Sequence, residues 1–182
     1  MNSNEFSKKY ISHYGLRTKQ LPEMIEWYKK FLDAETQYDM GFGAFMTFDD
    51  DHHRIVIFTT DDTEDKIANS AGVDHIGIGL PDFASLVENY ERLKAHGIVP
   101  TLTVNHGFTT SLYYADPDGN EIEFTVDNFR TKDECRAWMK TDAMVKAMNP
   151  PAFGDVFDAD ELVRMFRDGA SHEDLARMGQ AT

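Results

Sequence analysis

A chain of 182 residues, 41% of them hydrophobic, is long enough for one well-cored domain with a small appendage. Its formal net charge of −14 argues against nucleic acid and anionic membranes as partners, because both demand basic patches. One cysteine, Cys135, permits no internal disulfide, and no leader-like start or membrane-length apolar run is seen, so the expectation is a cytoplasmic protein.

Residues 1–9 are polar and carry no pattern. Tyr10 to Leu16 reads as a strand with Ile11 and His13 on one face. A helix follows, with Pro22 in its first turn, where a missing N–H costs little, and Met24, Trp27, Tyr28, Phe31 and Leu32 form its apolar stripe. Short strands are expected around residues 36–39, 43–48 and 54–60, with the acidic Asp49 to Asp51 as a turn. Phe42, Phe45, Met46 and Phe48 fit either ordinary core or the wall of an aromatic pocket. The charged, apolar-poor stretch 61–71 is a linker.

The same order then returns. Val73 to Leu80 is a strand with Ile76, Ile78 and Leu80 on one face. His75, Gly77 and Gly79 occupy the other face and leave open space beside the histidine. Asp82 caps a helix striped by Phe83, Leu86, Val87, Tyr90 and Leu93, and Gly97 stops it. Strands near 99–104, 111–115 and 121–126 complete the second unit, so strand, helix and three strands occur twice. The last two of these form a hairpin around Asp116-Pro117-Asp118-Gly119-Asn120, where proline presets one φ and glycine accepts a positive one. Parity puts Ile122, Phe124 and Val126 on one face, and Glu121, Glu123 and Thr125 on the opposite one. From the residues alone this is an edge hairpin with a solvated acidic face. Residues 130–182 read as a helical extension. A helix from Thr131 (boxed with Glu134) to Met148 ends at Asn149-Pro150-Pro151, and later starts lie at Asp158 with Glu161 and at Ser171 with Asp174. No chemistry is expected in it.

His106, Leu112, Tyr113, Asp116, Pro117, Gly119 and Glu123, in one ordered run, resemble the signature of type I extradiol ring-cleaving dioxygenases. These belong to the vicinal oxygen chelate superfamily, which also holds glyoxalases and bleomycin resistance proteins. The resemblance covers about residues 10–127. It implies an α+β fold in which two βαβββ units (about 10–65 and 72–127) form one curved mixed sheet, with a domain over 1–129 and an extension over 130–182. The family's metal ligands map onto His13, His75 and Glu123, two imidazoles and a carboxylate that leave positions open on Fe(II). Parity supports His75 and Glu123, each on the less apolar side of its strand, more than His13. Glyoxalase-type relatives add a fourth ligand on the last strand of the first unit, where Ile55-Val56-Ile57-Phe58 offers only hydrocarbon.

By the same resemblance His53, beside His52, supplies the acid–base imidazole, and His106 and Tyr113 contact the substrate's metal-bound oxygen. The expected enzyme is an extradiol dioxygenase that cleaves a catechol-type diol, biphenyl-2,3-diol-like, with incorporation of O2. Fe2+ is the expected cofactor, with Mn2+ or another divalent ion as the alternative, and the protein is expected to be a homo-oligomer. Two other readings stay open: a glyoxalase- or lyase-type isomerase using another divalent metal, and a non-catalytic binder of aromatic compounds.

Overall fold

The structure, a computed structural model, describes residues 9–68, 70–148 and 153–180. The patternless start over 1–8 and the stop at Asn149-Pro150-Pro151 lie outside the described residues. Two compact units are present, Met1–Ser70 with Asp116–Gly119, and Ala71–Ala115 with Asn120–Thr182.

In the first unit β1 (Tyr14–Arg17) leads into α1 (Leu21–Leu32), then β2 (Glu35–Asp39), β3 (Gly43–Thr47) and β4 (Ile55–Phe58). The sheet order is β1-β4-β3-β2, with β1 parallel to β4 and the other pairs antiparallel. Helix α1 carries its proline in the first turn and ends at Asp33, whose φ of 51° breaks the helical repeat. Met24, Tyr28 and Phe31 of its stripe have no exposure and form the core with Ala44, Met46, Ile55 and Ile57. Met46 is therefore core, whereas Phe42 is exposed. The first strand is shorter than the sequence suggested. Pairing begins where the Tyr14 amide donates to the Arg54 carbonyl, so His13 lies one residue before β1 and is exposed.

The second unit repeats the plan with β5 (His75–Gly79), α2 (Phe83–Ala95), β6 (Leu102–Asn105), β7 (Thr109–Ala115) and β8 (Glu121–Asp127). Its order β5-β8-β7-β6 matches the first unit strand for strand, again with the first and last parallel. The α+β class and the doubled βαβββ unit hold, and the strands are hydrogen-bonded as two sheets, one in each unit. The Asp82 side chain accepts from the Ser85 amide at 2.8 Å, and Gly97 at φ +75° takes the turn after α2. Tyr114, Ile122, Phe124 and Val126 are buried on one side of the β7–β8 hairpin.

The C-terminal segment packs within the second unit and departs from its reading in two ways. One expected helix is two, α3 (Lys132–Trp138) and α4 (Asp142–Ala147). Thr141 separates them: its backbone is extended (φ −101°, ψ 165°), its hydroxyl donates to the Trp138 carbonyl, and the same oxygen accepts from the Ala143 amide. The segment is also not purely helical. β9 (Asp155–Val156) adds to the edge of β6 before α5 (Ala159–Arg167) and α6 (His172–Leu175). The expected caps at Thr131, Asp158 and Ser171 are all formed.

Candidate active site

Strands β5 and β8 run parallel with Gly77 opposite Glu123, and β7 places Tyr113 on the other flank of the same glutamate. Parity sends Glu123 away from the apolar core, yet it is only 8% exposed. The solvated acidic face read from the sequence is thus replaced, at this position, by a carboxylate in a cleft. Gly77 makes the room, since a Cβ there would lie 2.9 Å from Glu123 Oε2. His75 Nε2 lies 3.3 Å from that same oxygen, while its Nδ1 is 2.9 Å from Asp74 Oδ2. A carboxylate on one ring nitrogen leaves the other free to bind a ligand, the usual support of a metal-binding histidine.

A nitrogen and a carboxylate oxygen converging in this way are two donors of the kind a divalent metal ion takes. Among the described residues, no group of three His, Cys, Asp or Glu side chains is drawn together as a metal site. What the structure assembles is the pair.

Around that pair lies a cavity of about 560 Å³, with Phe108, Leu102 and Met148 among its apolar lining and His75, His106, Tyr113 and Glu123 among its polar groups. This is the size of a small-molecule pocket. The Tyr113 ring stands edge-on to His75 at 5.3 Å, and its hydroxyl is 3.0 Å from His106 Nε2. Burial first, then the Glu123 charge and its hydrogen bond, push the Tyr113 phenol well above its ordinary range, so it stays a protonated donor at neutral pH. Tyr114 faces the other way and is fully buried, edge-on to Phe124.

The first unit has its own histidine group. His53 lies 4.6 Å from His13 and 4.5 Å from His52 (ring centroids), with Phe45 edge-on at 5.0 Å. Desolvation, then the neighbouring His52 and His13, lower the His53 pKa, while Asp51 opposes them. Arg54 holds the preceding acidic turn through Asp49 and Asp51.

A family model described as the Glyoxalase/Bleomycin resistance protein/Dioxygenase superfamily matches residues 10–124. The chain belongs to this superfamily. It is 35% identical over 156 residues to biphenyl-2,3-diol 1,2-dioxygenase 3 of Rhodococcus globerulus, covering 82% of each chain. It is 40% identical over 130 residues to biphenyl-2,3-diol 1,2-dioxygenase 2 of the same organism, covering 71% of this chain and 68% of that one. A glyoxylase/bleomycin resistance protein/dioxygenase domain from Frankia sp. EAN1pec has the same fold, with a TM-score of 0.55 at 23% identity, covering 66% of this chain and 93% of that one.

Within this superfamily chain, the second unit brings together four of the six residues singled out from sequence: His75, His106, Tyr113 and Glu123. His13 and His53 form their own pair in the first unit. Sequence reasoning missed Asp74, whose position just before His75 was an available signal. It also missed Met148 and Phe153, pocket-lining residues of the C-terminal segment for which no local pattern existed. The Asp-Pro-x-Gly turn has a role beyond turning the chain. Asp116 accepts from the buried Tyr28 hydroxyl at 3.2 Å, and Asp118 Oδ1 accepts from Gln20 at 2.7 Å.

Proposed function

We propose that this protein cleaves the ring of a catechol-type diol beside its two hydroxyls, using Fe(II) and incorporating O2, with a biphenyl-2,3-diol-like compound as substrate. That it is an extradiol dioxygenase rests on the two curated relatives, which match most of its length at 35% and 40% identity. The observation that carries the site is the approach of His75 Nε2 to Glu123 Oε2 in a pocket whose other polar groups include the Tyr113 phenol and the His106 imidazole.

In this reading His75 and Glu123 hold the metal with His13 as the third ligand, and His53 is the proton-transferring imidazole. When bound, Fe(II) would supply open coordination positions and a path by which electrons of the diol reach O2, the iron ending as it began. The chain's own groups do the rest. Tyr113, held protonated, donates to oxygen charge on the diol. His106 hydrogen-bonds beside it. His53, its basicity reduced by burial and by two neighbouring imidazoles, is neutral at neutral pH and ready to accept a proton from a diol hydroxyl. Phe108 and Leu102 give an aromatic ring an apolar wall.

The test is anaerobic loading with Fe(II), then aerated exposure to catechol and biphenyl-2,3-diol. The expected result is a yellow ring-opened product formed with stoichiometric O2 uptake. Absence of both across the panel overturns the proposal.

A further inference from the structure

Resting on the pocket assignment above, we infer that the C-terminal segment is a working part of the site: the Phe153 main-chain carbonyl fixes the tautomer of His106, which makes Phe153 a positioning residue. His106 Nδ1 lies 2.7 Å from the Phe153 oxygen. A carbonyl accepts and cannot donate, so the proton sits on Nδ1. Nε2 is left as the one ring nitrogen able to gain or release a proton, and its neighbour at 3.0 Å is the Tyr113 hydroxyl, which can either donate to it or accept from it. With Nε2 bare in the neutral ring, the one phenol proton goes to Nε2, and Tyr113 stands directly opposite Glu123 in the β7–β8 register. A polar chain therefore runs from the C-terminal segment through His106 to Tyr113.

Three features hold that carbonyl in place. β9 pairs antiparallel with β6, setting Asp155 against Asn105, the residue before His106. Gly154 lies so close to β6 that a Cβ would come 2.4 Å from the Asn105 carbonyl oxygen, so a bare backbone is required there. Phe153 itself has φ 53°, a left-handed conformation that a bulky side chain seldom adopts. Its side chain is exposed and lines the cavity, and the unusual backbone aims the carbonyl at the imidazole. Strain kept at a pocket wall, on a segment pinned by a strand pair, is consistent with a positional requirement.

The experiment reads the His106 ring nitrogens by long-range proton–nitrogen correlation in full-length, metal-free, histidine-labelled protein. The wild type is expected to show a protonated Nδ1 and a bare Nε2 for the neutral ring. Phe153→Pro cannot keep a positive φ and is expected to shift His106 toward the Nε2–H form that free imidazole side chains favour. Phe153→Gly, which keeps the backbone and loses only the ring, is expected to retain Nδ1–H. An Nε2–H wild type, or a folded Phe153→Pro with the tautomer unmoved, overturns the inference. Because this readout needs no turnover, an Nδ1–H wild type without diol cleavage would sink the proposed reaction and leave the anchor standing.

Discussion

The two units share one plan and use it differently. In each, a first strand runs parallel to the last, and a glycine on the first faces a residue on the last: Gly15 opposite Val56, and Gly77 opposite Glu123. A Cβ on Gly15 would find its nearest neighbour at 3.9 Å, in ordinary contact, whereas a Cβ on Gly77 would meet a carboxylate oxygen at 2.9 Å. The same backbone therefore frames a hydrocarbon pair in one unit and a buried carboxylate beside a histidine in the other. A repeated architecture fixes where side chains point; the identity of one side chain and the absence of its neighbour decide whether that place does chemistry.

The contrast can be broken most severely at the carboxylate. Glu123→Ala removes the one acid of the pair and is expected to bring iron content after reconstitution to background, with turnover lost alongside; metal analysis of the purified variant decides it. Wild-type iron content would place the metal elsewhere. His53→Gln is expected to keep the metal but lower kcat on the order of 10²-fold, the usual worth of a positioned acid–base group. Steady-state kinetics beside metal analysis tests whether the first unit's histidines take part in the reaction at all.

The glycines give the sharpest comparison. Gly77→Ala pushes the Glu123 carboxylate aside and is expected to weaken metal binding about 10–100-fold, comparable to losing an orienting group around a ligand. Gly15→Ala has room and is expected to change stability by no more than about 0.5 kcal/mol. Competition with a metal indicator measures the first and chemical denaturation the second; equal effects would erase the distinction between the units.

The smallest effect concerns the helix start that follows β5. Asp82→Ala is expected to cost about 1 kcal/mol at neutral pH, as lost N-caps do. The Ser85 amide and hydroxyl hold the Asp82 carboxyl below the usual carboxylate range. With the folded pKa below the unfolded one, the cap's contribution is complete above the unfolded value and disappears as pH falls through the folded value. Urea midpoints of the two proteins are therefore expected to converge in acid.

Much of this was legible in the residues. The strand–helix–strands order, the caps at Asp82, Thr131, Asp158 and Ser171, the stop at Gly97 and the open face beside His75 follow from periodicity and from hydrogen bonds that span only a few positions. The one helix expected over 131–148 failed because Thr141 offers a local cap that competes with continuing the helix. His13 fell outside its strand because pairing starts only where Arg54 provides an acceptor.

By itself the sequence determined two βαβββ units, the order of their elements, and the strand faces that carry His75 and Glu123, since each depends on interactions within a turn or along a strand. Only the tertiary structure decided that Glu123 is buried rather than solvated, because that depends on the missing side chain at Gly77 across the sheet. It also decided that a C-terminal carbonyl 47 residues away meets His106. No pattern in nearby residues encodes such a meeting; it follows from where β9 pairs and how closely Gly154 lets the backbone lie.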